Sequence, residues 1–357
     1  MIRKEISYIL PASDENTDDE FCVRNLSYTD WKAFRDDVIR LVPLRIDIGA
    51  MFDGDVKNNK DKVDGLTITP VEREFVIDID MTDYDHIRTC CEGKKLCNKC
   101  WTYVRAAYKV LNHILDKAFG FKHILWVFSG RRGIHAWVCD REARTMNKKV
   151  RKSVTEFLNF TITNDKVNYL VKPELINRTK DYTLLLEAYE KLQEYTNFLL
   201  EEQKILSRPS IYEQVISIAE RYIGNPLTEE EHRVLNTIGS NQATEKFKYL
   251  VSLINNSDNG AIKSNKFKIE FLIGYLYPKI DSHVSAQVNH LLKAPFNIHH
   301  ASMNISVPIM DIDKFNIENA SSVDEILKKE AETGRNPVAE YIAYFKNFCE
   351  LCEKDDN

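Results

Sequence analysis

The run Glu74-Phe75-Val76-Ile77-Asp78-Ile79-Asp80 decides how the chain is read. Its alternation predicts a strand with Phe75, Ile77 and Ile79 on one face and Val76, Asp78 and Asp80 on the other. The first face is wholly apolar and belongs in a core. The second ends in two carboxylates on the same side. Two carboxylates that close repel each other unless a cation lies between them. Hard oxygen ligands suit Mg²⁺ or Mn²⁺, and such a pair can hold ions that activate a hydroxyl and clamp a triphosphate. A bare Asp-x-Asp fits a solvated strand end equally well, so the flanking segments have to decide.

Downstream, Cys90-Cys91-x5-Cys97-x2-Cys100 packs four of the eight cysteines into eleven residues. Thiols at that density read as a zinc site with a structural role, since four soft ligands leave no open position. Cys349-x-x-Cys352 lies on an expected helix without a second pair and reads as incidental. From Trp101 to Phe119 the apolar residues recur at helical spacing, and Gly120 follows as a stop. Ile124–Phe128 and Ile134–Cys139 read as two strands joined by Ser129-Gly130-Arg131-Arg132-Gly133, a hairpin. Its glycines allow close backbone approach to a ligand. Its arginines offer forked donors for phosphate oxygens, and His135 adds another donor. A polar hairpin tip needs no ligand to explain it.

The stretch from about 150 to 265 is helix-rich, for example Asp181–Leu206, and carries no chemical motif. The apolar run Phe271–Tyr277 returns the chain to the core and reads as a strand that delivers Asp281 to a cleft. A helix is expected from about Ser282 to Leu292, so that His290 and Lys293, three apart, share a face. His299 follows. A terminal helix is expected over Pro337–Cys352. Upstream, Asp53–Asp64 reads as an exposed polar loop.

The 357 residues are long enough for a large core domain or a core with a smaller partner domain. With 54 acidic against 49 basic residues the net charge is −5. That argues against a protein that coats nucleic acid and allows contacts confined to one basic cleft. The chain opens without an apolar targeting run, and no stretch approaches a membrane span, so an intracellular protein with no membrane partner is expected.

Taken in order, FVIDIDMTDYD, CC-x5-CxxCW, WVFSGRRGIHAWVCD, YPKID and HLLKAPFNIH closely resemble the motif series of the small subunit of eukaryotic and archaeal DNA primases. The resemblance runs from about Glu5 to Pro308 and weakens across the helical middle. Lys4-Glu5-Ile6-Ser7-Tyr8 is similar to the family's REFSF element, with Lys in place of Arg. Val23–Tyr28 and Ile46-Asp47-Ile48-Gly49-Ala50 are similar to the next two elements.

That resemblance implies a mixed α+β primase core with a small β-sheet, a zinc-binding motif and an inserted helical subdomain. Its expected bounds are 1–160 and 266–320 for the core, with the zinc motif at 90–100. The helical subdomain is expected at 161–265 and a helical tail at 321–357. Asp78, Asp80 and Asp281 match the metal-binding carboxylates, for Mg²⁺ or Mn²⁺, and Glu5 matches an active-site glutamate. Cys90, Cys91, Cys97 and Cys100 match the zinc ligands. Arg24, Asp47, Ser129, Arg131, Arg132, His135, His290, Lys293 and His299 match nucleotide-site positions, with Asp47 near the ribose.

The implied activity is DNA-templated synthesis of short RNA primers from NTPs. The implied partners are a large primase subunit carrying an iron–sulfur cluster, the DNA polymerase α complex, single-stranded DNA template and RNA primer, in the nucleus. Two rival readings use the same residues. A zinc-containing nuclease would need the carboxylates without the triphosphate grip, and a non-catalytic scaffold would tolerate loss of Asp78.

Overall fold

A computed structural model of the chain describes residues 2–11, 20–58, 68–164, 168–177, 183–239 and 242–356. The chain divides into two compact units. One comprises residues 1–79, 121–157 and 280–357, the other residues 80–120 and 158–279.

The first unit holds two sheets. One is built from β1 (Lys4–Pro11), β2 (Glu20–Leu26), β3 (Arg45–Phe52), β4 (Pro70–Glu72) and β10 (Leu292–Lys293), in the order β10-β3-β1-β2 with β4 also on β3. Every one of these pairings is antiparallel. The other sheet has the order β5-β7-β6, with β5 at Phe75–Asp80, β6 at Ile124–Phe128 and β7 at Gly133–Val138. The expected hairpin forms, with Leu125 opposite Trp137 and Val127 opposite His135. On β5, Phe75, Ile77 and Ile79 are fully buried, whereas Asp78 is half-buried and Asp80 exposed. The alternation therefore sorts the strand as the sequence predicts. On the face carrying Asp78 and His135, the strands continue into an apolar cluster of Val76, Leu125, Val127, Trp137 and Leu292.

The second unit contains the helix Trp101–Phe119, ended by Gly120 in the left-handed conformation, and the helices Pro209–Ile223, Ala243–Asn255 and Gly260–Leu276. The hairpin β8 (Thr161–Asn164) and β9 (Asn168–Val171) also belongs to it. Among the described residues no helix is long and apolar enough to cross a membrane.

Four expectations need correction. Phe271–Tyr277 is not a strand: Phe271–Leu276 ends the helix Gly260–Leu276. From Ile269 onward that helix is buried all round, so the segment Ile269–Leu276 loses the helical stripe. The helix after Asp281 spans only Ser282–Ala286. His290 and Lys293 do not share a helix face, because Leu292–Lys293 is β10 and pairs with β3. The backbone there finds its hydrogen bonds in the sheet rather than along a helix. The helical stretch beginning at Asp181 breaks up after Leu192 into 3₁₀ and π turns, and its first two residues lie outside the described ones. The loop Asp53–Asp64 lies largely outside them too. The terminal helix spans Ala339–Asp356.

Candidate active site

The first unit brings together most of the residues singled out in the sequence. On β5 and β7, Asp78 Oδ1 lies 3.6 Å from His135 Nε2. The Asp281 amide donates to the Asp78 carbonyl at 3.3 Å, which fixes the two aspartates side by side along the backbone. The Asp281 carboxylate also caps its short helix, accepting from the His283 amide at 2.8 Å. One cap bond does not exhaust a carboxylate, which offers about four lone-pair sites. Asp80 ends β5, and its Oδ1 accepts from the Thr82 amide at 2.7 Å and the Thr82 hydroxyl at 2.6 Å. Asp78, half-buried, and Asp281, exposed, are carboxylates of the first unit of the kind that fits a hard divalent cation. They are not a closed cage: among the described residues, only the four cysteines form a group of three or more ligand atoms within 4.8 Å of one another.

The loop between β6 and β7 is built tightly. The Ser129 hydroxyl accepts from the Gly133 amide at 3.0 Å. Gly130 sits at φ +89°, and a Cβ there would stand 3.0 Å from His299 Cβ and 3.1 Å from the Asn304 carbonyl. Only glycine fits both the conformation and the approach. Ser129 thus shapes the loop, while Arg131 is half-buried and Arg132 buried. Lys293 Nζ donates to the Ser129 carbonyl at 2.9 Å and so ties β10 to the loop. Burial, then the nearby Arg45 guanidinium, pushes the Lys293 amine down to about 8, against the pull of Asp47 and Asp78.

Lys293 stands directly opposite Asp47 in the β10–β3 pair, so the two side chains share a face. Asp47 is 2% exposed. Its Oδ2 accepts from Arg45 Nη2 at 2.7 Å and Nε at 3.1 Å, while Oδ1 is buried with no hydrogen-bond partner. His299 is pushed down to about 4 by burial, then by Lys293, so its ring is neutral at pH 7. Its Nδ1 accepts from the Ala301 amide at 3.2 Å, which leaves Nε2 as the N–H of the ring. Burial, then Arg73, also lowers His290, against the opposing pull of Asp281, Asp78 and Asp47. Glu5, 1% exposed, pairs through Oε1 with Arg24 Nη2 at 3.1 Å.

The cysteine cluster belongs to the second unit. All four sulfurs lie within 4.8 Å of one another, and Cys97 and Cys100 are 3.9 Å apart. A tetrahedral site with Zn–S bonds of about 2.3 Å separates its sulfurs by roughly 3.8 Å, so the spacing fits zinc. Two residues that the sequence reading passed over hold the cluster. Arg88, 1% exposed, pairs with Asp85 at 2.7 Å, donates to the carbonyls of Lys95 and Gly93, and approaches Cys100 Sγ at 3.9 Å. Gln203, fully buried, accepts from the Thr89 amide at 2.8 Å and donates to Cys90 Sγ at 3.3 Å. Arg88 follows Asp85 at i+3, a readable signal. Gln203 is 113 residues from Cys90, and nothing local marks it. Arg45 and Arg73 were also missed, although Arg45 stands two residues from Asp47 on one strand.

The family model described as DNA primase small subunit matches residues 77–311. The chain is 33% identical over 338 residues to the DNA primase small subunit of Drosophila melanogaster, covering 91% of this chain and 73% of the relative. The chain belongs to the DNA primase small subunit family. It is also 29% identical to the corresponding subunit of Schizosaccharomyces pombe, over 93% of this chain and 72% of the relative. For that of Caenorhabditis elegans the figures are 28%, 98% and 90%. Its activity is that of a DNA primase, a DNA-directed RNA polymerase that makes RNA primers. The family implies divalent metals, and the four-cysteine cluster is consistent with zinc.

Proposed function

We propose that the face carrying Asp78, Asp47 and Lys293 is the nucleotidyl-transfer centre, where a ribonucleotide 3′-hydroxyl attacks the α-phosphate of a bound NTP and pyrophosphate leaves. The observation that carries this reading is Lys293, opposite Asp47 and tied to the Ser129–Arg132 loop. One link thereby joins a cationic phosphate grip to a carboxylate suited to a sugar hydroxyl.

Asp78, Asp80 and Asp281 would hold Mg²⁺ or Mn²⁺, which lowers the pKa of a bound hydroxyl and screens phosphate charge. Arg131, Arg132 and Lys293 then face the charge that grows on the leaving pyrophosphate. The neutral His299 ring donates through Nε2. Ser129 keeps the loop in shape for these donors, and His135 orients Asp78. Arg24, held by Glu5, adds a half-exposed cation, and Asp47 Oδ1 accepts from the ribose. His290 completes this face.

On this reading the four cysteines bind structural zinc. The chain pairs with a large primase subunit and works with the DNA polymerase α complex on single-stranded template in the nucleus.

The test is primer synthesis on single-stranded DNA with labelled NTPs and Mn²⁺ or Mg²⁺, comparing wild type with Asp78→Ala/Asp80→Ala. Short RNA from the wild type and none from the folded variant supports the assignment. Equal product from both, with the large subunit present, overturns it.

A further inference from the structure

β10 is two residues long, and its register with β3 places Ala294 next, opposite Ile46. The Ala294 amide donates to the Ile46 carbonyl at 3.0 Å. In a regular antiparallel pair the Ile46 amide would return that bond to the Ala294 carbonyl. Here the Asn297 side chain enters the ladder instead. Its Oδ1 accepts from the Ile46 amide at 2.8 Å, and its Nδ2 donates to the carbonyls of Ile46 at 2.6 Å and Ala294 at 3.0 Å. One N–H on one side and two carbonyls on the other fix which way the amide points. Asn297 is 7% exposed. Its backbone is pinned by buried Ser306, whose hydroxyl accepts from the Asn297 amide at 3.0 Å and whose amide donates to the Asn297 carbonyl at 2.8 Å. Phe296, just before it, sits at φ +65°, which turns the chain out of the strand direction.

The Ile46 amide belongs to the peptide that joins it to Arg45, and the Ile46 carbonyl to the peptide that joins it to Asp47. Asn297 therefore grips both peptides between Arg45 and Asp47. Those two side chains share a face of β3 and are paired through Asp47 Oδ2, which leaves Oδ1 buried and without a hydrogen-bond partner. We propose that Asn297 is a positioning residue for sugar selection: by holding both peptides around Ile46, it fixes Asp47 Oδ1 where the 2′-hydroxyl of an incoming ribonucleotide donates to it. The inference rests on the reading of Asp47 as the ribose contact. An amide suits the task because it both donates and accepts. Asn297→Asp keeps an acceptor for the Ile46 amide but sets a carboxylate against two carbonyls, so it should release β3 as Asn297→Ala does.

The test is competition between NTP and dNTP on one single-stranded template with Mn²⁺. It compares the full-length wild type with Asp47→Ala, Asn297→Ala, Asn297→Asp and the double variant Asp47→Ala/Asn297→Ala. Hydrogen exchange at the Ile46 amide is followed in parallel, and zinc content and Tm report folding. In both Asn297 variants the preference for NTP should shrink by about 2- to 10-fold, the range of one neutral hydrogen bond, and exchange at Ile46 should quicken. The double variant should match Asp47→Ala alone, because a residue that acts through Asp47 has no further effect once that carboxylate is gone. If Asn297→Ala does not fold, Asn297→Asp carries the comparison. Where Asp47→Ala shrinks the preference, an unchanged preference in the Asn297 variants, equal weakening of both nucleotides, or additive losses in the double variant would each overturn the role of Asn297 and leave that of Asp47 standing. An unchanged preference in Asp47→Ala itself overturns the ribose reading, and the inference with it.

Discussion

The Glu5 carboxylate fills the space beside Gly49 that a side chain would take: a Cβ on Gly49 would stand 2.6 Å from Glu5 Oε2 and 2.9 Å from Glu5 Cβ. Glycine is needed here for room, since β3 is extended at this point. Gly49→Ala should push Glu5 off its contact with Arg24 while leaving the strand pairing in place. Misplacement by about 1 Å near a reacting centre can cost on the order of 100-fold, so primer synthesis should fall roughly 10- to 100-fold. Steady-state kcat/KM for NTP checks this, with zinc content and Tm as folding controls. Unchanged kinetics in a folded variant would mean that Glu5 tolerates displacement.

On the zinc reading of the four cysteines, stripping the metal should loosen one end of the helix Trp101–Phe119. Cys100 immediately precedes it, and no side chain caps its start. The cluster is otherwise held by Arg88 and Gln203. Chelation, or Cys97→Ser, should release one zinc per chain and raise hydrogen exchange across 88–103, because the binding energy of a structural zinc is folding energy. Gln203→Leu should weaken zinc retention without removing a ligand, by about 10- to 100-fold if it acts as outer-shell partners generally do. Metal analysis after dialysis against a competing chelator reads both effects.

Much of this geometry is legible in the sequence, and the missing part has physical causes. β5 and the β6–β7 hairpin declare themselves by alternation and turn residues, and the helix Trp101–Phe119 by its stripe and its glycine stop. The cysteine cluster is legible from spacing alone. β10 is not: two residues pair with a strand about 245 positions earlier, and a register that distant leaves no local periodicity. Ile269–Leu276, the second half of the helix Gly260–Leu276, hides for the opposite reason, since burial on every side removes the polar face that would mark a helix. Arg73 shows the same limit at the level of a side chain. It is 3% exposed, pairs with Glu74 at 2.7 Å, and its guanidinium lies 5.3 Å from the Trp137 ring centre. None of that follows from its neighbours in sequence.

Glu74 should make stability depend on pH. Burial opposes its ionisation, but Lys4 at 2.8 Å and Arg73 at 2.7 Å outweigh that and hold the carboxyl at about 2, below an ordinary 4.5. A carboxylate depressed in the folded state contributes stability that is fully present above its unfolded pKa. That stability is lost as pH falls from about 4.5 through about 2. Glu74→Gln should therefore cost on the order of 2–3 kcal/mol at pH 7, and the gap from wild type should close across that acid window. Urea midpoints of both proteins at pH 7, 4 and 3 measure it. A gap that stays constant with pH would assign the loss to packing rather than to charge.

The buried, unpartnered Asp47 Oδ1 is the sharpest indication of what the site selects. Leaving a buried acceptor unsatisfied costs about 1–3 kcal/mol, and Arg45 holds the carboxylate in place through Oδ2 alone. A ribose 2′-hydroxyl can donate to such an oxygen; a deoxyribose cannot. Asp47→Ala should accordingly raise KM for ribonucleotides while leaving KM for deoxynucleotides nearly unchanged. The preference for NTP over dNTP should shrink by about 5- to 150-fold, the range that 1–3 kcal/mol represents. Competition between the two nucleotides on one template reads the ratio directly. If both substrates weaken equally, Asp47 serves the general architecture of the site, and sugar selection must be sought in other residues.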